Sequence, residues 1–436
     1  MSNETTAKSV DRRDFLKAAG LAAAGVATAS IVNHAYAGGS DTIKVGLVGC
    51  GGRGSGAARD CTSSAPGVKL WALGDVFKGQ VDGAKRNLGK ALGDKYEVAD
   101  DRCFDGLDAY QKVLDSGIDL VILATTPGFR PLHLEAAVQA GKHIFTEKPV
   151  GVDGAGIRKV LALVDKAKEK KLSVVAGTQR RHQAGYLQTM KQVHDGAIGD
   201  IVSARAYWNG DTPWTHARQD WMSDVEFQIK NWYHFVWTCG DHIVEQHVHN
   251  LDVINWAMKA HPISASGMGG RSNRPQGDPA VVGQIFDHFA VEFTYPNGMV
   301  MQSYCRQISN CTNNVSEVLV GTKGICHTSG YRINGKPVFE GSEVNPYVQE
   351  HTDLIESIRK GEPLNELKSV AESTMTAILG RMTTYSGQAM TWDEALNMDD
   401  RISAFPDKLS LKMSLPVAPI PVVGSRAKPK ARKTTR

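Results

Sequence analysis

The sequence predicts an α/β protein in two parts. An N-terminal doubly wound parallel sheet of the Rossmann type is followed by an α+β domain with an open, mainly antiparallel sheet. Three observations lead there. From residue 41 to 177, short apolar runs alternate with helix-like stretches, the pattern of strands buried on both faces. From 178 to 400 the strand-like runs lengthen and alternate apolar with polar residues. Between the first strand and the first helix stands Gly49-Cys50-Gly51-Gly52-Arg53-Gly54, a G-x-G-x-x-G.

Residues 1–37 read as an export signal. Asp11-Arg12-Arg13-Asp14-Phe15-Leu16-Lys17 resembles a twin-arginine signal, with Asp11 where Ser or Thr is usual. An Ala/Gly-rich stretch follows, then Ala35-Tyr36-Ala37, a small-x-small cleavage site. The alternative is an uncleaved amphipathic helix. The expected location is periplasmic or otherwise exported, and the expected partner is the twin-arginine export machinery.

In the first domain, strands are expected at 43–49, 68–74, 118–124, 142–146 and 172–176, with helices between them, such as 131–140 and 155–170. The glycine loop has a strand before it and a helix after it. In that context Gly49 permits a tight turn, Gly51 lets backbone approach a diphosphate, and Gly54 lets helix and strand pack closely. The helix N-terminus then offers unpaired N–H groups to the phosphates. Asp75, at the end of the second strand, can accept from both ribose hydroxyls and repels a 2′-phosphate, so NAD is expected over NADP.

In the second domain, strands are expected at 201–208, 288–295, 299–306 and 315–320. Tyr295-Pro296-Asn297-Gly298 and Gly321-Thr322-Lys323-Gly324 read as turns. A helical segment from 348 to 389 breaks near Gly361-Glu362-Pro363. Residues 401–436 form a Pro-rich and basic tail.

The net charge of +4 is smaller than the six Lys/Arg between Arg426 and Arg436 alone, so the folded body is not basic and a nucleic-acid partner is not implied. No apolar run beyond the N-terminal segment reaches membrane-spanning length. The seven cysteines are odd in number and show no C-x-x-C, which argues for free thiols rather than a disulfide framework or a thiolate metal site.

The order of motifs resembles the Gfo/Idh/MocA oxidoreductase family over about residues 41–400. After the glycine loop come Ala124-Thr125-Thr126-Pro127, then Ala140-Gly141-Lys142-His143-Ile144-Phe145-Thr146-Glu147-Lys148-Pro149. Gly177-Thr178-Gln179-Arg180-Arg181, Gly196-Ala197-Ile198-Gly199-Asp200, His249-Asn250-Leu251-Asp252 and Ser386-Gly387-Gln388-Ala389-Met390-Thr391-Trp392-Asp393-Glu394 follow. The resemblance implies NAD(P) at the first domain's switch point, held by Gly49, Gly51, Gly52, Arg53, Gly54, Asp75, Thr125, Thr126, Pro127, Glu147 and Lys148. It also implies a carbohydrate or polyol substrate on the second domain, Lys148 beside the reacting carbon, and a homo-oligomer formed through the open sheet.

Oxidising an alcohol removes a hydride from carbon and a proton from oxygen, which calls for a base and a cation. Lys148 suits the cation, and a share in the base's role stays open for it. The run Asp241–Asp252 looks helical, and at 100° per residue His242, Glu245 and His249 share a face. His249 is then the proton acceptor and Glu245 orients its ring. Two alternatives stay open: a metal site at His242, Glu245 and His249, and a plain structural network. Arg181, His242 and Tyr233 are candidate substrate contacts; for Arg180, Arg181 and His182 binding of hydroxyls or carboxylates and ion pairing within the protein both stay open. Trp208, Trp214 and the aromatics of 232–237 are either core or a sugar-stacking surface.

The expected activity is hydride transfer from a sugar, glycoside or polyol hydroxyl. An exported enzyme has no nicotinamide pool around it, so the cofactor is expected to be tightly bound and internally recycled. A glycoside hydrolase working by transient oxidation and elimination, or a non-catalytic sugar-binding module, are the other readings.

Overall fold

The computed structural model of the protein describes residues 42–398, 402 and 409–424. The expected export signal and the basic end of the tail lie outside these residues. In the first half the order is β1 (Ile43–Val48), α1 (Gly52–Ser64), β2 (Val68–Asp75), β3 (Cys103–Asp105), β4 (Leu120–Leu123), α2 (Arg130–Gln139), β5 (His143–Thr146) and β6 (Val174–Ala176). All six strands pair in parallel in the order 3-2-1-4-5-6. They are apolar because helices cover both faces; β4 is buried at every position. The strand order reverses between β1 and β4, and the crevice beyond their carboxyl ends is where such sheets hold ligands. β3 was not expected, since three residues are too few to display a period.

The second half contains β7 (Ile201–Gly210), α3 (Asp224–Lys230), α4 (His242–Glu245), α5 (Val248–Met258), β8 (Ser264–Gly270), β9 (His288–Thr294), β10 (Val300–Gln307), β11 (Asn314–Gly321), β12 (Gly324–His327), α6 (Pro346–Lys360) and α7 (Leu367–Ser386). These strands, with three two-residue strands, form a nine-stranded sheet. Most pairs are antiparallel, and the expected turn joins β9 to β10, but β10 pairs with β7 in parallel. Helices α5 and α7 pack on one face of this sheet. The other face is open and carries the exposed side chains Met268, Tyr304 and Ile325.

One boundary differs from expectation. Helix α6 lies within the stretch assigned to the second domain, yet Leu354, Ile355 and Ile358 join the core of the first, beside Val45 and Leu47. The residues that follow extend the parallel sheet: Val174 N–H donates to the Leu364 carbonyl at 2.7 Å, and Glu366 N–H to the Val174 carbonyl at 3.0 Å. Full burial of Leu354 and Ile355 contributes about 1.5–3 kcal/mol each to holding the halves together.

All seven cysteines are free, and five of them are buried. Among the described residues no helix is long and apolar enough to cross a membrane.

Candidate functional site

The glycine loop is shaped by contacts that only glycine allows. Gly49 has φ +100°, and a Cβ there would meet the Ala124 backbone at 2.6 Å. A Cβ on Gly54 would lie 1.8 Å from the Gly49 carbonyl oxygen. At Gly51 and Gly52, by contrast, nothing lies within 4 Å of an added Cβ. That open space faces the start of α1, whose N-cap, Gly51, makes no side-chain hydrogen bond, so the first N–H groups of the helix are free for an anion. Gly54→Ala is accordingly expected to abolish dinucleotide binding by driving α1 from β1. A titration of the purified variant with NAD checks this, and wild-type affinity would contradict it.

Asp75 is anchored at the rim. Its Oδ2 accepts from Cys50 N–H at 2.7 Å and its Oδ1 from Phe77 N–H at 2.9 Å. Burial pushes its pKa above the ordinary carboxylate value, against the pull of these backbone hydrogen bonds and of Lys230. A cavity of about 360 Å³ runs from Gly49, Gly51 and Gly52 past Asp75 to Thr125 and Thr126. Its roof comes from the second half of the chain, as Trp214, His216, Ile229, Lys230 and Trp232. The tryptophans expected as core or sugar-stacking residues thus include two that line this cleft. His133, not singled out in the sequence, lies in its wall 3.1 Å from the Thr125 hydroxyl, and burial lowers its pKa to about 3.

Arg53, Gly54, Pro127, Glu147 and Lys148 are not among the residues lining this cavity. The Arg53 guanidinium instead pairs with Glu147 and lies over the Tyr347 ring, 4.8 Å from its centroid. Arg130, which no motif or period marks, joins the two regions. It is buried, and it donates to the carbonyls of both Thr125 and Glu147. It therefore fixes the end of β4, at the cleft, against the end of β5, which carries Lys148. Burial lowers its pKa to about 10, which leaves it cationic at neutral pH.

Lys148 follows β5 by two residues and reaches the second half of the chain. Its ammonium donates to the Glu245 carbonyl at 2.5 Å and to Glu245 Oε1 at 3.0 Å. The other carboxylate oxygen of Glu245 accepts from the Tyr233 hydroxyl. Burial, then the neighbouring Glu245, pushes the Tyr233 pKa well above the ordinary phenol value, so Tyr233 stays a donor. His249 stacks on Trp208 with ring centroids 5.7 Å apart. Its pKa is held well below the ordinary imidazole value, first by burial and then by the cations Lys148, Arg180 and Arg53. It is a neutral ring in an electropositive surround.

Three expectations are corrected here. The run 241–252 is not one helix: α4 is a single turn, Gln246 and His247 interrupt, and α5 begins at Val248. Asp241, before α4, has φ +81° and cannot belong to a continuous helix. The face count linking His242, Glu245 and His249 fails with it. Glu245 is committed to Lys148 and Tyr233, not to the His249 ring. His242 is fully buried, 3.1 Å from Asp241 Oδ1 and packed edge-on to Phe289, so it sits in the core rather than in the wall of the cleft. Arg181 likewise is spent on a two-bond ion pair with Asp252, at 2.8 and 2.9 Å, over the Trp256 ring. Among the described residues no three His, Cys, Asp or Glu side chains are gathered to hold a metal ion.

The glycine cradle, the anchored Asp75 and the lysine at the end of β5 fit one family, and comparison identifies it. The oxidoreductase family with an NAD-binding Rossmann fold matches residues 43–176, and the Gfo/Idh/MocA C-terminal domain matches residues 186–327. The chain belongs to the Gfo/Idh/MocA oxidoreductase family. It is 28% identical over 235 residues to the scyllo-inositol 2-dehydrogenase (NAD(+)) of Bacillus subtilis strain 168, covering 53% of this chain and 59% of that protein. It is 26% identical over 245 residues to a glycosyl hydrolase family 109 protein of Shewanella baltica strain OS155, covering 51% and 50%. The chain thus spans between half and three fifths of these curated relatives. The crystal structure of scyllo-inositol dehydrogenase from Lactobacillus casei with bound NAD(H) and scyllo-inositol superposes with a TM-score of 0.62, covering 81% of this chain and 99% of that one. At 20% identity that likeness shows the fold.

The NAD of this family fits the residues present. Backbone N–H groups at Gly51 and Gly52 would hold the diphosphate, Asp75 the adenosine ribose, and Thr125 and Thr126 the wall of the cleft.

Proposed function

We propose that the chain is an NAD-dependent oxidoreductase acting on a hydroxyl-bearing carbon of a polyol, sugar or glycoside. One observation carries this reading. Lys148 and Tyr233 converge on the Glu245 carboxylate from different parts of the chain, four residues before His249; burial first, then Lys148 among the cations, holds the His249 pKa down.

An ammonium has three N–H donors. Two of Lys148's are held by Glu245, and the third is free for the substrate oxygen. Glu245 is therefore a positioning residue that aims Lys148, and Tyr233 locks Glu245. Lys148 stabilises negative charge on the oxygen, which lowers the hydroxyl's pKa; Arg180 is held by Glu317 at 2.7 Å and adds only to the positive surround. His249 takes the proton on its unprotonated ring nitrogen. NAD, when bound, supplies the acceptor for the hydride. Lys148, which weakens His249 as a base, also acidifies its substrate, so the two remain matched.

The names of the relatives support a polyol or carbohydrate substrate, inositol among them. The twin-arginine motif at Arg12-Arg13 favours an exported protein with a resident dinucleotide and a redox-neutral cycle. The family 109 relatives favour a second reading, in which a glycoside is oxidised transiently, loses its aglycone and is reduced again. Chromogenic glycosides separate the two readings. Aglycone released with no net NADH supports the hydrolase, whereas a ketose or ketocyclitol formed with stoichiometric NADH supports the dehydrogenase. Neither product from a panel of inositols, hexoses and glycosides would sink both. The open sheet face, with Met268, Tyr304 and Ile325 exposed, suits a second copy of this chain.

A further inference from the structure

We propose that residues 409–417 form a latch that holds the roof over the adenosine end of the dinucleotide cleft and sets the rate at which the dinucleotide exchanges. This rests on the reading that the cleft holds NAD, and it adds the device that retains it.

The latch lies beyond both matched family domains, which end at residues 176 and 327. Its sequence, Leu409-Ser410-Leu411-Lys412-Met413-Ser414-Leu415-Pro416-Val417, is apolar at every second position. All five apolar side chains pack into one cluster that spans the two halves of the protein. From the second half come Val225, Phe227 and Ile229 of α3. From the first come Val76, Phe77, Leu107 and Phe129, which also line the cleft. The segment thus belongs to the apolar cluster that joins the floor of the cofactor site to its roof.

The residues between grip the roof helix. Lys412 Nζ donates to Glu226 Oε1 at 2.7 Å, and the Ser414 hydroxyl donates to Asp224 Oδ2 at 2.7 Å. Leu415 N–H reaches the same Asp224 oxygen at 3.2 Å, and Gln228 Nε2 donates to the Leu415 carbonyl at 2.8 Å. The Ser223 hydroxyl donates to the Leu411 carbonyl. Asp224, Glu226 and Gln228 of α3, with Ser223 at its N-cap, are therefore bonded to the latch. Its last two residues, Ile229 and Lys230, project into the cleft opposite Asp75. A seven-residue helix does not hold its place by its own backbone bonds. Freed from the latch, α3 would lift and uncover the adenosine end.

The test is an exchange experiment on full-length protein loaded with NAD, chased with excess isotopically labelled NAD and read by mass of the bound dinucleotide. Wild type is expected to exchange over hours. The surface variant K412A/S414A, which leaves the apolar cluster intact, is expected to exchange about tenfold faster, the ratio carried by losing a charge-assisted hydrogen bond. L411D/L415D, which opens the cluster, should be faster still; the surface variant carries the test if this one fails to fold. Slow exchange unchanged in K412A/S414A would overturn the latch and leave a resident cofactor intact. Fast exchange in wild type, faster again in the variant, would keep the latch and remove the resident cofactor. A chain that takes up no dinucleotide would remove both.

Discussion

Replacing Lys148 by alanine is expected to lower kcat by about a thousandfold, the scale of losing a preorganised donor to a developing oxyanion. The substitution has a second effect, on stability. Lys148 and Glu245 are both nearly enclosed, with side chains 11% and 9% exposed. Removing one partner of such a pair leaves a buried carboxylate held by Tyr233 alone, a loss of about 3–5 kcal/mol. A folded-state control by circular dichroism is therefore needed at the assay temperature. Lys148→Arg should not restore activity. Its flat fork cannot reach the Glu245 carbonyl, a carboxylate oxygen and a substrate oxygen together, as a tetrahedral ammonium can. Near-normal turnover in the folded alanine variant would remove the lysine from the chemistry.

The second large effect belongs to His249. His249→Gln should cut kcat/KM by about 100- to 10,000-fold, the range of a lost general base. The pH profile gives the sharper reading. Protonation inactivates a base, and the pKa of His249 is pushed down by burial and by Lys148, Arg180 and Arg53. In wild type, activity should therefore hold as pH falls through the ordinary imidazole range, about 6.5, and fail only below it. The glutamine variant should show low activity without that acid limb. A wild-type limb at or above the ordinary imidazole pKa, unchanged by the substitution, would assign the base elsewhere.

The first domain was legible because its signals are local. The glycine loop, the strand before it and Asp75 lie within 33 residues, from Ile43 to Asp75, and each is fixed by sterics or by backbone hydrogen bonds near it in sequence. The hairpin at Tyr295–Gly298 was readable for the same reason. Glu245 was misassigned because its true partner, Lys148, lies 97 residues away, and because the interruption at Gln246–His247 turns a helical count into a wrong neighbour. Arg130 left no trace, since a buried arginine pairing with two carbonyls has no periodic signature. Residues 409–417 did carry a pattern, an apolar residue at every second position. Their serine, lysine and proline content hid it within a segment that reads as an irregular tail.

The proposed activity requires a hydride to pass from a substrate carbon to NAD at the site of Lys148 and His249. A polyol deuterated at its carbinol carbons, incubated with the NAD-loaded protein, tests that directly when the dinucleotide is recovered and its nicotinamide ring is examined by mass and NMR. Deuterium at ring C4 is the expected result, lost in Lys148→Ala. Product formed or aglycone released with no deuterium ever reaching the ring, even in a single turnover, would contradict it.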